Sequence, residues 1–278
     1  MNTPAKAEAR SRRTIARLAR ASRSGLISLA VAAEALGMTP AQTAAQLSRL
    51  SRRGWLQRAR RGLYVVVPLE AAADQHVTAE DPWVMARELY APCYVGGWSA
   101  AEHWGLTEQV FRSTFVVTAA AVRRTNDTVL GQPFRVYRSR RAELPADIKG
   151  VWRGAEQVRV SGRERTLVDG LHDPGLCGGA RHLAQWLQAY GDSTERDFDR
   201  LLSIARAGAS GAAWKRLGYL AENLWPSETA VLDAAMTALS MGHARLDPAV
   251  ARPGKLVTRW RLRVNVDISD VAPRGPRP

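Results

Sequence analysis

The sequence predicts an α+β protein: an N-terminal winged helix-turn-helix followed by a larger mixed α/β domain that closes with a helical bundle. Three observations carry this. The first 70 residues read as helix, helix, turn, helix and β-hairpin, the element order of a winged helix. Short apolar runs separated by polar or Pro/Gly-containing segments then signal strands, and from Ser161 onward apolar residues recur at helical spacing. Charge is divided in the same way, with 13 basic and three acidic side chains in residues 1–70 against 27 and 23 in the remainder. Most of the net charge of +14 therefore lies in the first quarter of the chain, the footprint of a module that binds a polyanion.

A basic helix or arm is expected over residues 5–21, carrying Arg10, Arg12, Arg13, Arg17 and Arg20. A second helix over 28–36 stops at Gly37. Thr39 can cap a third, with Pro40 suited to its first position and Gln42 completing a capping box, and this helix should end near Gly54. Residues 55–58 and 63–67 read as strands joined by the turn Ala59-Arg60-Arg61-Gly62. Small and polar residues over 68–82 are expected to link the winged helix, residues 1–70, to a second domain over 81–271. There Asp81-Pro82 opens a helix to Tyr90, and Ser99 with Glu102 spells a capping box for a short helix through Trp104. Strands are expected over 115–118, 134–138 and 158–160. A further capping box at Ser161 and Glu164 leads into helical runs over 180–190, 195–207, 212–224 and 228–241. The strict alternation over 256–268 predicts one half-buried strand with Arg259, Arg261 and Arg263 on its outer face. Residues 272–278 are expected to be a disordered tail.

The third helix carries the candidate site. On a helical wheel Gln42, Gln46, Arg49 and Arg53 fall in one narrow sector with Ala45 and Arg52 beside it, while Leu47 and Leu50 lie opposite. In helix-turn-helix docking this is the element that enters the major groove, where Gln pairs with adenine and Arg with guanine. Gln42, Gln46 and Arg49 are thus candidate base readers, Ala45 is placed to meet a thymine methyl, and Arg52 and Arg53 suit phosphates. The wing adds Arg58, Arg60 and Arg61. The plainer alternative is a solvated basic face on a small helical domain.

Catalytic signatures are absent: there is no phosphate-binding glycine loop, H-E-x-x-H, C-x-x-C or G-x-S-x-G. His172, Cys177 and His182 match no common zinc spacing, and Asp147 with Lys149 lacks the carboxylate partner of a nuclease core. No enzyme, metal or cofactor is expected. Cys93 and Cys177 are the only cysteines and are expected to be reduced and buried. No apolar run approaches the ~20 residues that span a bilayer, and nothing near Met1 resembles a signal peptide, so a cytoplasmic location is expected.

Four segments carry a family resemblance: Tyr94-Val95-Gly96-Gly97-Trp98-Ser99-Ala100-Ala101-Glu102-His103-Trp104-Gly105-Leu106, Arg163-Glu164-Arg165-Thr166-Leu167-Val168-Asp169, Arg216-Leu217-Gly218-Tyr219-Leu220-Ala221-Glu222 and Arg259-Trp260-Arg261-Leu262-Arg263-Val264-Asn265. With the winged helix ahead of them they resemble the AbiEi antitoxins. The resemblance implies a repressor that binds inverted repeats of double-stranded DNA in its own promoter. It also implies a C-terminal domain that neutralises a nucleotidyltransferase toxin without a stable complex. A solitary winged-helix regulator and a DNA-directed hydrolase stand as alternatives.

Overall fold

The computed structural model describes residues 4–22, 25–67, 81–139 and 147–271. Most of the expected linker, residues 68–80, and the expected tail, 272–278, lie outside the described residues. The chain forms two compact units, neither contiguous in sequence. One comprises Met1–Cys93, Thr118–Arg140 and Gly150–Val158, the other Tyr94–Val117, Arg141–Lys149 and Arg159–Pro278.

The first unit begins with α1 (Pro4–Ala21), which buries Ser11, Ile15 and Leu18 at helical spacing and leaves Arg10, Arg12, Arg13, Arg17 and Arg20 exposed. A three-residue strand not expected from the sequence, β1 (Leu26–Ser28), leads into α2 (Leu29–Leu36). Ser28 caps α2 by accepting the Val31 N–H at 3.2 Å, and Gly37 ends it in the left-handed conformation, φ 63°. The sequence-predicted capping box of α3 (Pro40–Arg52) is formed by Thr39 and Gln42, with Pro40 in its first turn. β2 (Leu56–Arg60) and β3 (Leu63–Val66) follow, in a three-stranded antiparallel sheet of order β1-β3-β2. Helices and sheet close over Ile15, Leu18, Ile27, Ala32, Leu47, Leu50, Leu56 and Tyr64. Strand β2 runs two residues past the expected end, so the turn is Arg61-Gly62, with Gly62 at φ 77°.

Beyond the winged helix the chain runs through α4 (Pro82–Tyr90), β4 (Cys93–Val95), α5 (Gly97–His103), β5 (Thr114–Thr118), β6 (Asn126–Val129), β7 (Gln132–Arg138), β8 (Ile148–Arg153) and β9 (Glu156–Ser161). Then come α6 (Arg163–His172), α7 (Ala180–Asp192), α8 (Phe198–Gly208), α9 (Gly211–Leu224), α10 (Thr229–Thr237), β10 (Ala244–Arg245), β11 (Lys255–Val257) and β12 (Leu262–Val264). In the first unit Asp81 caps α4 through the Trp83 N–H at 2.7 Å, and β6 and β7 form an antiparallel hairpin with Asp127 opposite Phe134. In the second unit β4 pairs in parallel with β9, Val95 opposite Val160. Its core is the expected bundle, in which Leu167, Leu183, Trp186, Tyr190, Leu201, Leu217 and Trp260 pack together.

Three local expectations are corrected. Ser99 does not cap a helix: α5 already starts after Gly96, and the Ser99 hydroxyl lies inside it, accepting the Phe115 N–H at 2.9 Å. The early start needs a glycine at 97, where φ is 50° and a Cβ would lie 2.8 Å from the Leu176 carbonyl oxygen. Nor do Ser161 and Glu164 form a box, because Gly162 precedes α6; Ser161 instead bonds the Thr166 hydroxyl at 2.7 Å, and Glu164 accepts from Tyr190 at 3.2 Å. Finally, residues 256–268 are not one strand. β11 and β12 are antiparallel, Val257 facing Leu262, joined by a 3₁₀ turn over Thr258–Trp260 and by Arg261 at φ 50°. The three arginines therefore do not share a strand face: Arg259 pairs with Glu222, Arg261 donates to the Ser240 carbonyl at 3.1 Å, and Arg263 is exposed.

Candidate DNA interface

Helix α3 is held by one side. Thr43, Leu47 and Leu50 are buried, and the opposite side presents Gln42, Ala45, Arg49, Arg52 and Arg53 as exposed residues with Gln46 half-buried among them. The Gln42 side-chain oxygen is used in the cap, accepting from the Thr39 N–H and hydroxyl, each at 3.1 Å, while its amide donors are not part of that box. The Arg49 guanidinium donates to the Gln46 side-chain oxygen, which ties together the two central members of the face. Arg52 and Arg53 close the last turn, where positive charge complements the helix dipole.

The wing treats its three arginines differently. In the ladder Arg58 stands opposite Tyr64 and Arg60 opposite Leu63, with a register shift between them. Because neighbouring residues of β3 face opposite sides, this bulge sends Arg58 and Arg60 to opposite faces of the strand. Arg58 and Arg61 are exposed. Arg60 donates to the Asp127 carboxylate at 2.5 Å and to the Leu89 carbonyl at 3.1 Å, and its guanidinium carbon lies 5.0 Å from the Tyr90 ring centroid. Tyr90 donates its hydroxyl to the same carboxylate oxygen at 3.0 Å, and burial together with Asp127 pushes its pKa well up, keeping it a donor. The Asp127 and Tyr90 contacts were not legible in the sequence, since Asp127 is 67 residues from Arg60.

On α1, Arg12 pairs with Glu8 at 2.8 Å and Arg17 donates to the Ala35 carbonyl at 2.6 Å, fastening α1 to the end of α2. The other cluster noted in the sequence does not converge. His172 bonds the Gly208 carbonyl at 2.9 Å and His182 the Gly178 carbonyl at 3.1 Å, while Cys177 is buried, its thiol pushed up by burial and by Asp173, Asp169 and Asp247. Among the described residues no group of three or more His, Cys, Asp or Glu is placed to hold a metal ion. Asp147 forms ion pairs with Lys149, at 3.2 Å, and with Arg200. Among the described residues no helix is long and apolar enough to cross a membrane.

The family model described as "Transcriptional regulator, AbiEi antitoxin" matches residues 13–67, which hold the winged helix and its basic face. That of the "AbiEi antitoxin C-terminal domain" matches residues 90–223. The chain belongs to the AbiEi antitoxin family. As an AbiEi protein it combines a transcriptional-regulator module with the antitoxin domain, in the order the sequence motifs implied. No curated protein sequence matches the chain. The crystal structure of the RV2827C protein from Mycobacterium tuberculosis shares the AbiEi chain's fold, with a TM-score of 0.58 and 20% identity over 91% of this chain and 90% of that one.

Proposed function

We propose that this AbiEi protein represses its own operon by binding inverted repeats in the promoter, and that its C-terminal domain, residues 81–271, counteracts a nucleotidyltransferase toxin without a stable complex. The single observation that carries the DNA half is the outward face of α3: Gln42, Gln46 and Arg49 lie on a capped helix whose other side is locked into the winged-helix core. Such a face delivers amide and guanidinium groups to base edges in the major groove. Arg52, Arg53, Arg58 and Arg61 supply phosphate contacts, which fix register without reading sequence. The antitoxin half rests on the family match over residues 90–223. In this reading the protein acts in the cytoplasm, beside the DNA, with no cofactor and no reaction of its own.

The two activities separate in one experiment. An Arg49→Ala/Arg53→Ala variant changes two exposed positions, so its fold survives; exposed changes cost within about 0.5 kcal/mol. It is expressed from an independent promoter beside the neighbouring toxin gene, with reporter repression and growth both measured. Repression is expected to fall while protection persists. Loss of protection in step with repression overturns the division of labour, and absence of an adjoining nucleotidyltransferase gene leaves a solitary regulator.

A further inference from the structure

We propose that Asp127 and Tyr90 are positioning residues of the DNA interface, which grip Arg60 and so hold the wing where Arg58 and Arg61 meet the duplex. The inference rests on the reading of α3 and the wing as that interface. Arg60 is the last residue of β2, directly before the Arg61-Gly62 turn, so whatever holds its guanidinium holds the wing tip. The β2 bulge turns it away from Arg58, and it makes the contacts to Asp127, Leu89 and Tyr90 already described. The grip is itself anchored: the Tyr90 ring meets Phe134 edge-on at 5.5 Å, and its carbonyl accepts the Thr118 hydroxyl at 2.6 Å. A phosphate seeking Arg60 would have to displace a charge-assisted bond to a carboxylate and a stacked ring. The wing is thus fastened to α4 and β6, both outside the 13–67 segment of the regulator match.

Electrostatics alone and positioning give opposite signs. Removing a carboxylate from beside a basic wing should tighten DNA binding if charge were all that mattered. Positioning requires it to weaken. The test measures affinity of the full-length protein for the duplex upstream of its own gene across a range of salt, by fluorescence anisotropy. Asp127→Asn and Arg60→Ala are each expected to weaken binding about three- to tenfold with an unchanged slope of log Kd against log salt, and the double variant no more than the worse single. Arg61→Ala, a phosphate contact, should lower that slope by about one. Should Asp127→Asn fail to fold, Tyr90→Phe, which deletes one hydroxyl, carries the same expectation. Tighter or unchanged binding by these variants, or a reduced slope for Arg60→Ala, overturns the proposal. If Arg49→Ala and Arg61→Ala also leave binding intact, it is the interface reading itself that has failed.

Discussion

The indole of Trp260 fills the space that a side chain at position 218 would need: a Cβ there would lie 2.1 Å from the ring. Trp260 is fully buried, and its N–H donates to Glu222 at 2.6 Å, one turn further along α9. A glycine inside a helix costs about 1 kcal/mol relative to alanine, so its presence here reflects this contact. Gly218→Ala is expected to destabilise the chain by roughly 1–3 kcal/mol, the cost of overpacking, despite the better helix former. Thermal or urea unfolding measures it, and a stabilised variant would show that the indole yields freely.

Arg216, on the same helix, ends in four backbone carbonyls. It donates to Leu171 at 2.7 Å and His172 at 3.0 Å, where α6 ends, and to Arg245 and Leu246, each at 3.1 Å. It is buried, which lowers its pKa, with Asp173 and Asp247 opposing that shift. Arg216→Met strips carbonyls of their donors and is expected to cost on the order of 3 kcal/mol or more, since each orphaned buried acceptor costs about 1–3 kcal/mol. Urea denaturation giving a loss below about 1 kcal/mol would mean that other donors take over.

The Cys177 thiol is fully enclosed and held protonated by burial and by the surrounding carboxylates. Cys93 is buried too, donating to the Ala86 carbonyl at 3.4 Å. Iodoacetamide at neutral pH is expected to leave both unmodified in the folded protein and to label both in denaturant. Rapid labelling of Cys177 in the native state would contradict the packing around α6 and α7.

Lys215 is 3% exposed, and its ammonium donates to the Ser240 hydroxyl at 3.0 Å and the Met241 carbonyl at 3.3 Å. Burial, and secondarily the charge of Arg261, lower its pKa below the ordinary 10.5. In the window between that lowered value and 10.5 the unfolded chain binds more protons than the folded one, so this group makes stability rise with pH there. Lys215→Met should remove that increment from the stability-pH profile. An unchanged alkaline profile would show that the ammonium is solvated as fully in the folded state as in the unfolded one.

The winged helix was legible because its determinants are local. Thr39, Pro40 and Gln42 start α3, Gly37 ends α2, and the same periodicity that buries Leu47 and Leu50 exposes Arg49. What escaped depends on partners far along the chain. The bulge that parts Arg58 from Arg60 and the grip of Asp127 leave no mark in the sequence around residue 60. The alternation through 256–268 promised a strand, but packing of Trp260 on Gly218 and the left-handed Arg261 fold it into two. Ser99 and Ser161 have the spacing of caps yet spend their hydroxyls on Phe115 and Thr166, since Gly96 and Gly162 take the positions before the helices.

Whether α3 reads bases is decided by affinity on two duplexes. Full-length protein carrying Gln46→Ala or Arg49→Ala is titrated onto the promoter duplex and onto a scrambled duplex of the same length at one salt concentration. The expected loss is about 1–3 kcal/mol on the promoter and almost none on the scrambled sequence. Equal losses on both would contradict it, leaving α3 a basic surface that holds DNA without reading it.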